Sequence, residues 1–174
     1  GGATLEKRRW LSTEGATAFD GGARARRQRL PSQEMCVCSR GGRDQMLDAI
    51  PNDYTVVNLQ YGNIFKEVER FHLKSKRKIH CIEQIDNNAN IDGLCALISA
   101  CEQVVTIDNS TAHFAGALGV RCNLLLPFGP DFRWGALDDQ CSYWYQSVKV
   151  LRQGRGCNWQ TCLAQLSANL AQSE

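Results

Sequence analysis

The apolar residues of this chain fall in short β-rich runs separated by longer stretches of helical spacing, and that alternation restricts the fold more than any other feature. The β-rich runs occupy 54–59, 78–82, 103–107, 122–126 and 147–151, with a weaker one at 16–19. Between them, apolar residues recur near every 3.6 positions over 64–73, 91–100, 111–118 and 159–170, which predicts amphipathic helices. Strands that alternate with helices form βαβ units around a parallel sheet. The expected fold is therefore a doubly wound, Rossmann-like α/β domain. At 174 residues the chain is long enough for one core, so 1–174 reads as a single domain.

Local signals agree with these boundaries. Asn90 precedes the helix at 91–100, and Ser110 precedes the one at 111–118; short polar side chains there can satisfy the orphan N–H groups of a first turn. Gly119 stands where a helix C′ glycine would. The segment 21–29, with four arginines, suits neither a strand nor a buried helix and reads as a loop.

Composition narrows the function classes. A net charge of +2 gives no basis for wholesale binding of nucleic acid or a membrane surface, so any electrostatic function must be local. No apolar run approaches the roughly 18 residues that span a bilayer, and there is no charged start followed by an apolar signal segment, so a cytoplasmic chain is expected. The nine cysteines mostly lie in apolar segments, where Cys behaves as a small hydrophobe. They are expected to be mostly buried and reduced. Cys36 and Cys38 form a C-x-C without a second cluster at zinc spacing, which reads as structural thiols rather than metal ligands.

In an open parallel sheet, ligands bind beyond the carboxyl ends of the strands, so residues just after each run are the informative ones. Asp108, Asn109, Ser110, Thr111 and His113 follow the run at 103–107 and open a helix. Unpaired N–H groups and the positive end of the helix dipole make such a place an anion site, with the Ser110 and Thr111 hydroxyls as further donors. The same residues also read as a plain helix cap, and His113 as a packed histidine. After 54–59 come Gln60, Tyr61, Gly62 and Asn63; the amides can hydrogen-bond a sugar or base, and Gly62 permits close backbone approach. After 122–126 runs a stiff aromatic loop carrying Asp131, Arg133 and Trp134, in which Asp131 and Arg133 either serve a ligand or pair with each other. After the weak run at 16–19, Gly22, Arg24 and Arg27 offer a glycine-arginine loop whose guanidinium forks match phosphate oxygens. There is no G-x-G-x-x-G, no G-x-x-x-x-G-K-[ST] and no G-x-S-x-G, which argues against dinucleotide oxidoreductases, Walker-type NTPases and serine hydrolases.

The stretch 104–119, centred on Asp108-Asn109-Ser110-Thr111-Ala112-His113, resembles the donor-site motif of glycosyltransferase family 9, the ADP-heptose:lipopolysaccharide heptosyltransferases. It is more similar still to the glycosyltransferase-like domains that follow tetratricopeptide repeats in bacteria. The likeness continues, in order, through 57–62, 91–100 and 125–135, then Trp144-Tyr145, 150–153 and Asn158-Trp159. At 18–24, Phe19-Asp20 stands where a Trp-Arg pair is usual in the family.

The resemblance implies the C-terminal, donor-binding domain of a GT-B glycosyltransferase. Residues 1–13 would be a lead-in helix, and the N-terminal acceptor domain, which holds the catalytic base in that family, would be absent. Asp108, Asn109, Ser110, Thr111 and His113 would then hold the diphosphate and donor sugar, 60–63 would lie near the nucleoside, and an arginine of the first loop would reach phosphate. The implied partner is a nucleotide sugar; no cofactor and no metal are expected, because N–H groups and arginines can stabilise a departing diphosphate without one. A degenerate, non-catalytic nucleotide-binding or protein-interaction module, dimeric across the face left by the missing domain, is the alternative, and a nucleotide-sugar epimerase of the same overall fold is a third.

Overall fold

The computed structural model describes residues 34–38, 43–62, 64–75, 77–129, 132–135 and 140–171. The described elements are β1 Glu34–Cys38, α1 Arg43–Asp48, β2 Thr55–Asn58, α2 Phe65–Ser75, β3 Ile79–His80, α3 Ile91–Ala100, β4 Gln103–Ile107, α4 Ser110–Ala117, β5 Arg121–Leu126, a 3-10 turn Phe132–Trp134, β6 Val148–Arg152 and α5 Gln160–Ala171. The strands form one six-stranded sheet in the order β3-β2-β1-β4-β5-β6, and every neighbouring pair is parallel. The doubly wound parallel sheet is as expected from the alternation.

Successive residues along each strand bury on opposite faces. Val57, Val104, Leu124 and Val150 join one core with Leu94 and Ile98 of α3 and Ala112 and Ala115 of α4. Val56, Val105, Leu125 and Leu151 join the other, with Met46 and Leu47 of α1, Phe71 of α2, and Leu166 and Leu170 of α5. A sheet covered on both sides needs strands that are apolar almost throughout, as the run Leu124-Leu125-Leu126 is. Each fully buried Leu, Val or Phe contributes about 1.5–3 kcal/mol, so neither helical layer can be peeled away cheaply.

The central strand was not anticipated. The weak run at 16–19 lies outside the described residues, as do the loop at 21–29 and the lead-in at 1–13. Instead, β1 at Glu34–Cys38 pairs with both β2 and β4, with Met35 and Val37 fully buried. Its signal was a four-residue Met-Cys-Val-Cys run with a single β-branched residue, too short to stand out by periodicity.

The turn from α1 into β2 is held by one side chain from the other end of α2. Arg77 Nη1 donates to the carbonyls of Leu47 (3.1 Å) and Ile50 (2.6 Å), and Nη2 donates to those of Pro51 (2.6 Å) and Tyr54 (3.2 Å). Carbonyls at a helix C-terminus have no intrahelical donor, and a guanidinium fork can satisfy several at once. Burial lowers the pKa of this guanidinium from its ordinary value, with Asp53 and Asp48 opposing the shift. Arg77→Ala should cost about 2–3 kcal/mol, since several charge-assisted bonds are lost together. Urea unfolding should show a lower midpoint with an unchanged m-value, and Arg77→Lys should not restore it, because a single ammonium cannot span four carbonyls.

The cysteines depart from the expectation of mostly buried thiols. Cys81, Cys141 and Cys157 are exposed and Cys95 is half-buried; among the described side chains only Cys101, Cys122 and Cys162 are buried, and Cys101 is disulfide-bonded. The exposed ones lie in loops or beside an edge strand, where an apolar neighbourhood in sequence does not become a buried one in space. Burial pushes the Cys122 thiol up to about 12 and that of Cys162 up to about 11, so both stay protonated and unreactive at neutral pH. Site-resolved alkylation of the native protein should therefore modify Cys141 and Cys157 rapidly, and Cys122 and Cys162 only after unfolding.

Candidate functional site

The sheet order reverses between β1 and β4, and in this topology the crevice for ligands opens beyond the carboxyl ends of those two strands. The sequence Asp108-Asn109-Ser110 leaves β4 at that point. Asn109, not Ser110, is the N-cap of α4: its Oδ1 accepts from the Ala112 N–H at 3.4 Å and from the Thr106 hydroxyl at 3.1 Å. Ser110 is instead the first helical residue and is exposed. Among the described residues, the N–H groups of Ser110 and Thr111 have no acceptor, as expected at the open end of a helix.

Thr111 is only 4% exposed and lies on the buried side of α4 with Ala112 and Ala115. The helical period explains this: the residues at 111, 112 and 115 share the face against the sheet, while 110 and 113 turn away from it. At the other end, α4 closes as read from the sequence. Gly119 has φ +67, the Val120 N–H donates to the Ala115 carbonyl, and the Gly119 N–H donates to that of Gly116.

Trp134 organises the remaining side chains. Fully buried, it donates from Nε1 to Asp108 Oδ1 at 2.7 Å, and its ring stacks on His113 with centroids 4.6 Å apart. Arg152 of β6 donates to the Trp134 carbonyl at 2.5 Å and to that of Gly135 at 3.4 Å, which fixes the turn to the sheet. Arg133 lies with Nη2 4.0 Å from Asp108 Oδ2, its side chain about half exposed. Asp131 falls outside the described residues; among the described residues, the carboxylate beside Arg133 is Asp108. His113 Nδ1 is 3.3 Å from the Tyr145 hydroxyl, and the two rings meet edge to face at 5.8 Å.

The loop after β2 leaves a strand two places from β4 in the sheet, about 10 Å away at ordinary strand spacing. Gln60 is buried, and its carbonyl accepts from Asn58 Nδ2 at 2.8 Å. Tyr61 is exposed, and Gly62 has φ +87, so the glycine is required by backbone conformation rather than by crowding. Asn63 lies outside the described residues, as do Gly22, Arg24 and Arg27. The structure thus brings together Asp108, Asn109, Ser110, His113 and Arg133, and places Gln60, Tyr61 and Gly62 along the same edge of the sheet; Thr111, in the same first turn of α4, is buried. The sequence marks neither Trp134 nor Tyr145 as a site residue; both lie in stretches of aromatic residues that look like core. An open depression of about 720 Å3 between α1 and the start of α5 lies on the opposite face and contains none of these residues.

No described helix is long and apolar enough to cross a membrane, and no group of three or more His, Cys, Asp or Glu among the described residues could hold a metal ion.

No family model matches the chain. It is 28% identical over 114 residues to Protein FlbA of Caulobacter vibrioides, an alignment covering 66% of this chain and 19% of FlbA. It is also similar, with a TM-score of 0.46 and 12% identity, to the crystal structure of a glycosyl transferase family 9 protein from Veillonella parvula, covering 86% of this chain and 40% of that one. The chain therefore spans about a fifth of FlbA and two fifths of the Veillonella protein.

The indole bond to Asp108 should be measurable. Trp134→Phe keeps an aromatic ring against His113 but leaves a partly buried carboxylate without its donor and a small cavity, and should cost about 2–3 kcal/mol in denaturant unfolding. Asp108→Asn keeps an acceptor oxygen and should cost less.

Proposed function

We propose that this domain binds the diphosphate of a nucleotide sugar at the N-terminus of α4, as the donor-binding part of a glycosyltransferase. The observation that carries the reading is the open first turn of α4 at the reversal point of the sheet, where two unengaged N–H groups, the exposed Ser110 hydroxyl, His113 and Arg133 gather. N–H groups at the positive end of a helix dipole favour an anion, and a nearby guanidinium adds to that preference. Asp108 suits sugar hydroxyls rather than phosphate, since its carboxylate can accept from them and would repel an anion. The sequence resemblance to glycosyltransferase family 9 falls on these same residues. The nucleoside would extend along the sheet edge towards Gln60, Tyr61 and Gly62.

Asp108 is engaged by the Trp134 indole and lies beside Arg133, so it is not offered as a general base. That engagement favours a binding domain whose transfer chemistry needs a base from elsewhere. A non-catalytic binding module is the second reading, and assay of the natural full-length protein for sugar transfer separates the two.

A thermal-shift screen against ADP-, GDP- and UDP-sugars tests binding. One nucleotide sugar at about 100 times its Kd should stabilise the fold by about 2.7 kcal/mol. Ser110→Ala should weaken binding on the order of 10-fold by removing a donor to a charged group. His113→Ala should weaken nucleotide-sugar binding more than nucleoside binding. If no nucleotide sugar shifts the transition, the assigned site is wrong.

A further inference from the structure

We propose that Tyr145 is a positioning residue for His113: its phenol O–H donates to Nδ1, holds the neutral imidazole as the Nε2–H tautomer, and leaves Nε2–H as the donor to a bound diphosphate. The ligand half of this rests on the diphosphate reading of α4; the tautomer half does not.

Three contacts fix the imidazole. One face stacks on Trp134 at an interplanar angle of 27°, Nδ1 is 3.3 Å from the Tyr145 hydroxyl, and the Tyr145 ring stands at 72° to it. Among the described residues, Tyr145 O–H has no acceptor other than this nitrogen, and His113 Nε2 has no partner. A neutral imidazole has one donor and one acceptor nitrogen, so the bond at Nδ1 decides what Nε2 can do. If the phenol donates, Nε2 carries the proton and can meet a phosphate oxygen. With the opposite polarity, Nε2 would present a lone pair to that oxygen and repel it.

The helix and the sheet edge are both shaped to put the phenol there. Gly116 lies one turn after His113 on the same side of α4, and a Cβ at 116 would come within 2.3 Å of Tyr145 Cγ, at the root of the ring. Only glycine leaves room for the ring beside the helix. Tyr145 itself is anchored from the other side: its carbonyl accepts from the Val148 N–H at 3.1 Å, and the preceding segment lies along β6, with the Ser142 N–H donating to the Val148 carbonyl and the Val150 N–H to that of Gln140.

The test is a long-range 1H–15N correlation of the imidazoles at about pH 8.5, well above the ordinary histidine pKa of about 6.5. His113→Gln assigns the resonance against His72 and His80. The parent protein should show His113 as the Nε2–H form; Tyr145→Phe and Gly116→Ala should each convert it to an exchanging mixture, the second because the ring must move. An Nδ1–H form in the parent overturns the proposal, and so does an unchanged His113 signal in both folded variants. Calorimetry with inorganic diphosphate and with ADP supplies the ligand arm, in which Tyr145→Phe should bind diphosphate about 2- to 10-fold more weakly. A parent that binds neither probe overturns the diphosphate site and the ligand half of this proposal, while a Tyr145-dependent tautomer would still establish the positioning contact.

Discussion

Trp134 joins three parts of this domain. Its N–H holds the carboxylate at the end of β4, its ring forms the floor under His113, and its backbone carbonyl receives the guanidinium of Arg152 from β6. A buried indole must find an acceptor for its N–H, and Asp108 is that acceptor. The aromatic loop after β5 is thereby tied to the helix after β4 and to the edge strand.

The helix itself is built for close approach. Ala112 and Ala115 are fully buried against the sheet, and Gly116 makes room for Tyr145. Small residues bring α4 near the strands and leave its polar residues, Ser110 and His113, on the side turned away from the sheet. Asn109 supplies the cap at one end and the Gly119 turn closes the other.

A second group of buried polar residues lies on the opposite face of the sheet. Asn169 Nδ2 donates to Asn123, Asn123 Nδ2 donates to Gln103, and Gln103 Nε2 donates to the Tyr54 hydroxyl at 2.9 Å, which in turn donates to the Leu170 carbonyl. This chain ties α5 to β5, β4 and the start of β2. Burial is the largest influence on the Tyr54 hydroxyl and raises its pKa, consistent with a phenol kept neutral inside a hydrogen-bonded network.

The alternation of apolar runs determined the α/β class, the parallel pairing and, within about one residue at each end, the places of β2, β4, β5 and β6, because strands covered on both faces must be apolar almost throughout. It determined less about β3, which is only Ile79–His80, since an edge strand has one neighbour and little hydrophobic demand. It also located the polar residues after β4, since short side chains at a helix start serve caps wherever they occur. Only the tertiary structure decided that β1, drawn from Met35 and Val37, is the central strand; its place depends on partners 21 and 68 positions away in register, Thr55 with Glu34 and Gln103 with Met35. Only the tertiary structure gave the cap to Asn109 and brought Trp134 and Tyr145 to His113 from loops 21 and 32 residues further along the chain. Local propensity carries the first kind of information, because it acts between near neighbours in sequence. Side-chain direction and the pairing of distant loops are set by packing, and no single segment contains them.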